Sequence, residues 1–327
     1  MTRLTPWFRR LGLGRLVYRW LYRPRQQIDL ARAHGWWLLG RSVTGERAMR
    51  RAAAGLPAIA AKAPWKLAPI CFLTGPRFIH QTLFCAHSFA RFTADLPAFE
   101  FLSDGQLAEN EEAALKHVFP SAVVRRSAEL DERVLAALPP DKFPTLHATR
   151  RTFVLLRKLT DAMAGQEGFR VFFDSDMLFW SRPDELLSRI AAADPLYMAD
   201  TVEDGYPASR AEIGRALGVS VAAGVNSGLV ALDASRIDWD LMERACAFVR
   251  STPGNQRLLE QALWAVALGA QQARPLAASA YRVMIDPTHW QQARAEHPGP
   301  ILMHYAWYSR LPYLAGEWRR YLNTLGG

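Results

Sequence analysis

The sequence is short of cysteine. Cys71, Cys85 and Cys246 are its whole supply in 327 residues, odd in number and far apart. That excludes a thiolate metal cluster and a disulfide framework, and it points to reduced thiols and a cytoplasmic setting. Long apolar runs are also missing. No stretch approaches the roughly 18 residues of a spanning helix, so none is expected. Arginines interrupt each apolar stretch near the start, which reads against a secretion signal. There are no internal repeats, and no lysine follows Lys158. Acidic residues are nearly absent at the beginning: residues 1–62 hold 13 Arg and Lys against Asp29 and Glu46. The remaining 265 residues, with 27 basic and 29 acidic side chains, are electrically ordinary, so the formal net charge of +9 sits in a basic N-terminal appendage.

Within that appendage, Trp7, Phe8, Leu11, Val17 and Leu21 alternate with Arg9, Arg10, Arg15, Arg19 and Arg23. The pattern suggests either an amphipathic helix at the inner face of a membrane or a helical hairpin packed on the main body. No recognition motif accompanies the charge, so nucleic acid is not expected as a partner. The expected division is a basic helical extension over 1–64 and one α/β domain over 65–327, with the Pro/Ala-rich stretch from Ala52 to Pro69 as the link.

The most informative segment is Phe169-Arg170-Val171-Phe172-Phe173-Asp174-Ser175-Asp176-Met177-Leu178-Phe179. An apolar strand runs into two aspartates, and apolar residues resume at once. Carboxylates among Phe and Leu are costly to bury unless something neutralises them. A divalent cation held at a strand end answers that cost, and hard oxygen ligands suit Mg²⁺ or Mn²⁺ shared with a diphosphate.

Around this segment the periodicity predicts strands at Ile70–Leu73, Phe99–Leu102, Ala122–Arg125 and Leu196–Ala199. It predicts helices over Ile79–Phe92, Leu107–Val118 and Thr149–Met163. A βαβαβ order implies a mostly parallel sheet, with ligands beyond the carboxyl ends of its strands. Thr74, Gly75 and Arg77, the turn at Asp104, and the aspartate pair would share that edge. Further on, Asn226-Ser227-Gly228 precedes an apolar strand, Glu260-Gln261 opens a helix, and Ile301–Trp307 reads as a late strand that carries His304. Asp200, Glu203 and Asp204 form an acidic loop, while Trp290, Trp307 and Tyr308 are aromatic candidates for stacking on a ligand ring.

Taken together, Asp174-Ser175-Asp176, Asn226-Ser227-Gly228, Glu260-Gln261 and His304, in that order, resemble the nucleotide-sugar glycosyltransferases of the GT-A fold, in particular the family-8-like group. The resemblance runs from about Ile70 to the C-terminus. It implies a single domain with a Rossmann-like sheet and a metal-dependent transfer of sugar from a nucleoside diphosphate, most simply UDP, to a hydroxyl acceptor with retention. It implies Asp174, Asp176 and His304 at the metal. Thr74, Gly75, Arg77, Asp104, Arg150, Lys158, Asp174, Ser175 and Arg310 would lie at the nucleotide and diphosphate, and Asn226, Glu260 and Gln261 at the sugar. Where the family shows His-x-x-Gly followed by Lys, this chain has His304-Tyr305-Ala306-Trp307-Tyr308-Ser309-Arg310. An inverting enzyme would instead need a carboxylate base, for which Asp233 or Glu260 stand available. Preference for Arg over Lys fits a GC-rich bacterial genome, and a cell-envelope glycan or lipid-linked acceptor follows by association. Two other readings of the residues are a haloacid-dehalogenase-like phosphohydrolase with Asp174 as nucleophile, and a non-catalytic membrane- or polymer-binding protein with a degenerate transferase body.

Overall fold

The computed structural model describes residues 32, 34–59 and 63–326; the alternating aromatic and basic segment over 3–23 lies outside the described residues. The fold is α/β, built on a seven-stranded sheet of order β3-β2-β1-β4-β7-β6-β8. Strands β1 (Ile70–Thr74), β2 (Phe99–Ser103), β3 (Val123–Arg125) and β4 (Phe169–Phe173) pair parallel. β7 (Val225–Asp233) runs antiparallel between β4 and β6 (Leu196–Ala199), and the short β8 (Arg274–Pro275) closes the far edge parallel to β6.

Helices cover both sides of the central strands, which are therefore mostly apolar on both faces, with the buried Glu100–Arg170 ion pair between β2 and β4 as the charged exception. On one face Phe72, Phe99, Phe101 and Phe173 pack with Phe89 of α2 (Ile79–Arg91), in mostly edge-to-face contacts such as Phe89 on Phe173 at 5.3 Å between ring centres. On the other face Cys71, Leu102, Phe172 and Leu232 meet Trp264 of the apolar helix α10 (Leu259–Ala270).

Of the second sheet, order β5-β10-β9, only β10 answers to a strand expected from the sequence, the late run Ile301–Trp307. β5 (Met177–Phe179) begins immediately after the aspartates and pairs antiparallel with β10 (Leu302–Tyr305), which lies parallel to β9 (Tyr281–Met284). The resumption of apolar residues after Asp176 therefore marks a new strand in a new sheet.

Two other expectations change. The single helix expected over Thr149–Met163 is broken: α5 (Pro144–Thr152) ends, a 3₁₀ turn spans Val154–Leu156, and α6 (Arg157–Met163) follows. β-branched and aromatic residues at Thr152, Phe153 and Val154 favour extended backbone at the break. The stretch beginning at Ala52 is also not all link, because α1 (Trp36–Ala54) runs to Ala54, and Met49, Ala53 and Leu56 are buried in the main core. α1 crosses the C-terminal helical segment so closely that a Cβ at Gly45 would sit 2.1 Å from the Leu314 carbonyl oxygen. Among the described residues no helix is long and apolar enough to cross a membrane.

Candidate active site

Because β1, β2 and β4 are parallel and in register, their carboxyl ends arrive together. Thr74 pairs with Ser103, and the Asp104 N–H donates to the Thr74 carbonyl at 2.8 Å. β7 enters from the opposite direction, so its first residues reach the same edge, where the Asp174 N–H donates to the Gly228 carbonyl at 2.7 Å. The small sheet adds the last piece: His304 in β10 lies opposite Met177, and the Tyr305 N–H donates to the Asp176 carbonyl at 2.8 Å. Residues distant in sequence are thereby gathered by strand pairing alone.

At this junction one side-chain atom each from Asp174, Asp176 and His304 lies within 4.8 Å of the others. His304 Nε2 stands 3.3 Å from an Asp176 carboxylate oxygen and 4.0 Å from one of Asp174. Its protonation is set from behind. The Asn226 Oδ1 accepts from the Gly228 N–H at 3.0 Å, while its Nδ2 donates to Asp200 at 3.2 Å, so the amide has one orientation. His304 Nδ1, 3.0 Å from that same Oδ1, must then be the protonated nitrogen, leaving Nε2 turned to the carboxylates. A Cβ on Gly228 would fall 2.4 Å from His304 Cε1, so glycine is what lets the imidazole seat here. Burial disfavours the imidazolium, but the hydrogen bond and charge of Asp176, with Asp174, raise the His304 pKa above its ordinary value. Asp176 is shifted down: its burial opposes the charge, and His304, Arg310 and Lys158 outweigh it. Two carboxylates and one tautomerically fixed imidazole form a donor set that fits Mn²⁺ or Mg²⁺.

The surroundings are polar and largely pre-set. Lys158, from α6, contacts both Asp174 oxygens, at 2.6 and 2.8 Å. Burial disfavours its ammonium, yet Asp174 and Glu260 keep its pKa raised. Ser175 bonds Thr82, which bonds Thr74, in a buried chain of hydroxyls at 2.8 and 2.7 Å that anchors the aspartate turn. Glu260 is fully enclosed, with one oxygen accepting from Ser227 Oγ at 3.0 Å and the other without a hydrogen-bond partner. Burial pushes its carboxyl up to about 7, against the pull of Lys158.

A cleft of about 200 Å³ opens beside the aspartates, lined by Asp104, Lys158, Asp174, Ser175, Asp176 and Arg310 among others. Arg310 Nε lies 3.9 Å from Asp176 and has no hydrogen-bond partner, and its guanidinium covers the Phe78 ring. Gln81 lines the same cleft with neither amide atom hydrogen-bonded, a residue that sequence reasoning missed because it stands inside an apolar helix. Val154 and Leu155, partly exposed at the break between α5 and α6, form an apolar wall that the expectation of an unbroken helix also missed.

Other expected residues are placed differently. Arg150 is buried, donating to Asp161 at 2.6 and 2.8 Å and to Asp131 at 2.6 Å, so its guanidinium is spent inside the fold. Arg77 is exposed with its guanidinium over Phe78, and it does not line the cleft. Gly75 serves Asp104: a Cβ there would lie 2.2 Å from that carboxylate. Gln261 donates to Asp200 at 3.2 Å and to the Gly205 carbonyl at 3.3 Å, facing a second, larger cavity. Asp200, unassigned by the sequence, is thus the shared acceptor for Asn226 and Gln261. Trp290 lies elsewhere, under the guanidinium of Arg294.

No family model matches the sequence, and no curated protein matches it. Among solved structures, the chain is similar to the apo form of the bifunctional glycosyltransferase WbbM, at 11% identity and a TM-score of 0.48 over 82% of this chain and 53% of that one. It is also similar to the galactosyltransferase LgtC in complex with donor and acceptor sugar analogs, at 16% identity and 0.46 over 77% and 99%. The glycosyltransferase GlyE of Streptococcus pneumoniae matches at 12% identity and 0.44 over 79% and 63%. The chain thus spans about half the length of WbbM, and all three likenesses are distant.

Proposed function

We propose that this protein is a metal-dependent glycosyltransferase that moves a sugar from a nucleoside-diphosphate donor to a hydroxyl acceptor. The observation that carries the reading is the meeting of Asp174, Asp176 and His304 at the carboxyl edge of the sheet, with the His304 tautomer fixed by Asn226. A divalent cation held by these three residues supplies Lewis-acid stabilisation of the charge that develops on the leaving diphosphate.

This chain's own groups do the rest. Arg310 offers an unpaired N–H to a phosphate, standing where the resembled family places a lysine. The unsatisfied amide of Gln81 and the carboxylate of Asp104 face the nucleoside side of the cleft, and Val154 and Leu155 supply an apolar wall for a base. Lys158 holds the Asp174 carboxylate in place. Asn226 acts on His304 rather than on the sugar, as a positioning residue. Gln261 and Asp200 form the wall nearest the sugar. The UDP-linked donor, retention of configuration and a glycan or lipid-linked acceptor are the finer parts of the proposal and follow the motif resemblance.

The haloacid-dehalogenase-like alternative expects a lysine downstream of its nucleophilic aspartate, and no lysine follows Lys158 in this sequence. The test is a melting-temperature panel on the full chain with UDP, GDP, CMP and ADP, each with and without Mn²⁺. The expected result is an upward shift for one diphosphate that requires Mn²⁺ and is lost in Asp176→Asn. A folded protein that responds to no nucleotide would sink the donor site.

A further inference from the structure

The larger cavity, about 470 Å³, lies on the Gln261 side of the metal-binding trio. Its size falls in the range of small-ligand pockets, roughly 300–1,000 Å³. Its lip is aromatic: Trp307 and Tyr308 are adjacent in sequence and 51% and 49% exposed. Its polar side chains include Gln261, Asp200 and Asp286, and Val202 adds an exposed apolar side chain. Among the described residues that line it, none is Lys, Arg or His. The His34 imidazole lies 5.6 Å from the Tyr308 ring, centre to centre, and is not part of the lining.

Trp307 is held at a cost. Its φ is +49°, a conformation that bulky L-residues rarely adopt and that stores strain. The neighbouring bonds over-determine it: the Tyr308 N–H donates to the Ile285 carbonyl at 3.0 Å, and Ser309 Oγ donates to the Met284 and Ala306 carbonyls at 2.8 and 2.6 Å. The opposite wall is equally fixed, with Asp200 taking Gln261 and Asn226 at 3.2 Å each and its own N–H on the Gly224 carbonyl at 2.7 Å. Asp286 caps the helix beginning at Pro287 by accepting from the Thr288 and His289 N–H groups. These bonds and the nearby imidazoles keep its carboxyl below the usual range, so it stays ionised.

We propose that this cavity receives the acceptor, and that the acceptor ring is an uncharged or amino-bearing pyranose rather than an acidic one; this rests on the transferase reading above. The exposed indole and phenol faces suit the apolar C–H face of a pyranose, while Asp200, Asp286 and Gln261 suit its hydroxyls. A carboxylate or phosphate on that ring would meet the side chains of Asp200 and Asp286 with no Lys, Arg or His in the lining to offset them, and like-charge juxtaposition works against binding. The strained Trp307 supplies the stacking face from a position where the resembled motif has glycine.

The test measures diphosphate release by the full chain with Mn²⁺ and its donor. Methyl glucoside, methyl galactoside and methyl glucosaminide are compared with the methyl uronides and with hexose 6-phosphates. The neutral and amino rings are expected to show a kcat/KM at least about tenfold above the acidic ones. Trp307→Gly should raise KM for the preferred ring by about tenfold, and Val202→Lys should narrow the gap between neutral and acidic rings. If the unmodified chain binds a nucleotide with Mn²⁺ but uses acidic rings equally well, uses no pyranoside, or is indifferent to Trp307→Gly, the acceptor inference is overturned and the donor reading stands. Failure of the unmodified chain to bind any nucleotide would overturn both.

Discussion

Asn226 shows how much one amide decides. It fixes the His304 tautomer, ties in Asp200 and anchors the Gly228 N–H, all within 3.2 Å. Asn226→Ala removes the partner of His304 Nδ1 without touching a ligand atom. Its expected effect is a roughly 10–100-fold weaker Mn²⁺ affinity, the usual consequence of losing such a partner, read by titrating free Mn²⁺. Glu260 carries a pH signature. Its folded pKa, about 7, exceeds the ordinary 4.5, so the folded state binds the proton more tightly than the unfolded one. Stability from this group is therefore full below pH 4.5 and is lost as pH rises through about 7, by an amount on the order of 3 kcal/mol. His304, also raised, has the same sign, while the lowered carboxyls Asp176 and Glu100 lose their contribution only at acid pH. Glu260→Gln should flatten the decline of the metal-free melting temperature between pH 5 and 8. An unchanged decline would remove Glu260 as its source. The two carboxylates of the trio were legible in the sequence, because aspartates set between apolar runs are too costly to keep without a cation, whereas His304 was placed beside them only by the motif resemblance. Asn226's partners were hidden, because an Asn in a sequence does not say which neighbour its amide will face.

Individual strands and helices were legible where their pattern was local. β6 is found over Leu196–Ala199, as the pattern predicts, and β1, β2 and α2 within a residue of it, since apolar runs bounded by Gly and Pro define them. The late strand β10 was legible, but its partners β5 and β9, and hence the second sheet, were not. β5 has three residues and β10 four, all buried, so neither shows an alternation that names a partner. The break at Phe153 went unseen for a related reason: the basic stretch from Arg150 to Lys158 keeps a helical spacing across it. Across that break Arg150 pairs with Asp161 and Lys158 with Asp174, both buried, which sends two basic side chains of one expected helix to different partners.

For the whole molecule, the charge division read from composition does not coincide with the packing. α1 belongs by charge to the basic start, but Met49 and Leu56 are core residues on its side of the chain. Removing residues 1–63 should therefore cost roughly 3–6 kcal/mol, at about 1.5–3 for each buried Met or Leu side chain. Urea denaturation of the shortened chain against the full one measures this, and equal midpoints would show that α1 merely lies on the surface. Strand β10 carries a wider consequence. With Leu302, Met303, His304 and Tyr305 all buried, sliding the strand by one residue would still bury four side chains, so hydrophobicity alone does not choose among alignments. The choice falls to the polar atoms of the strand, the Tyr305 hydroxyl on Glu317 and above all His304, which finds Asn226 and the aspartates in this alignment. A one-residue deletion between β9 and β10 would thus be judged by the imidazole before it is judged by the core, and a residue of the proposed metal site also serves as the fold's alignment mark.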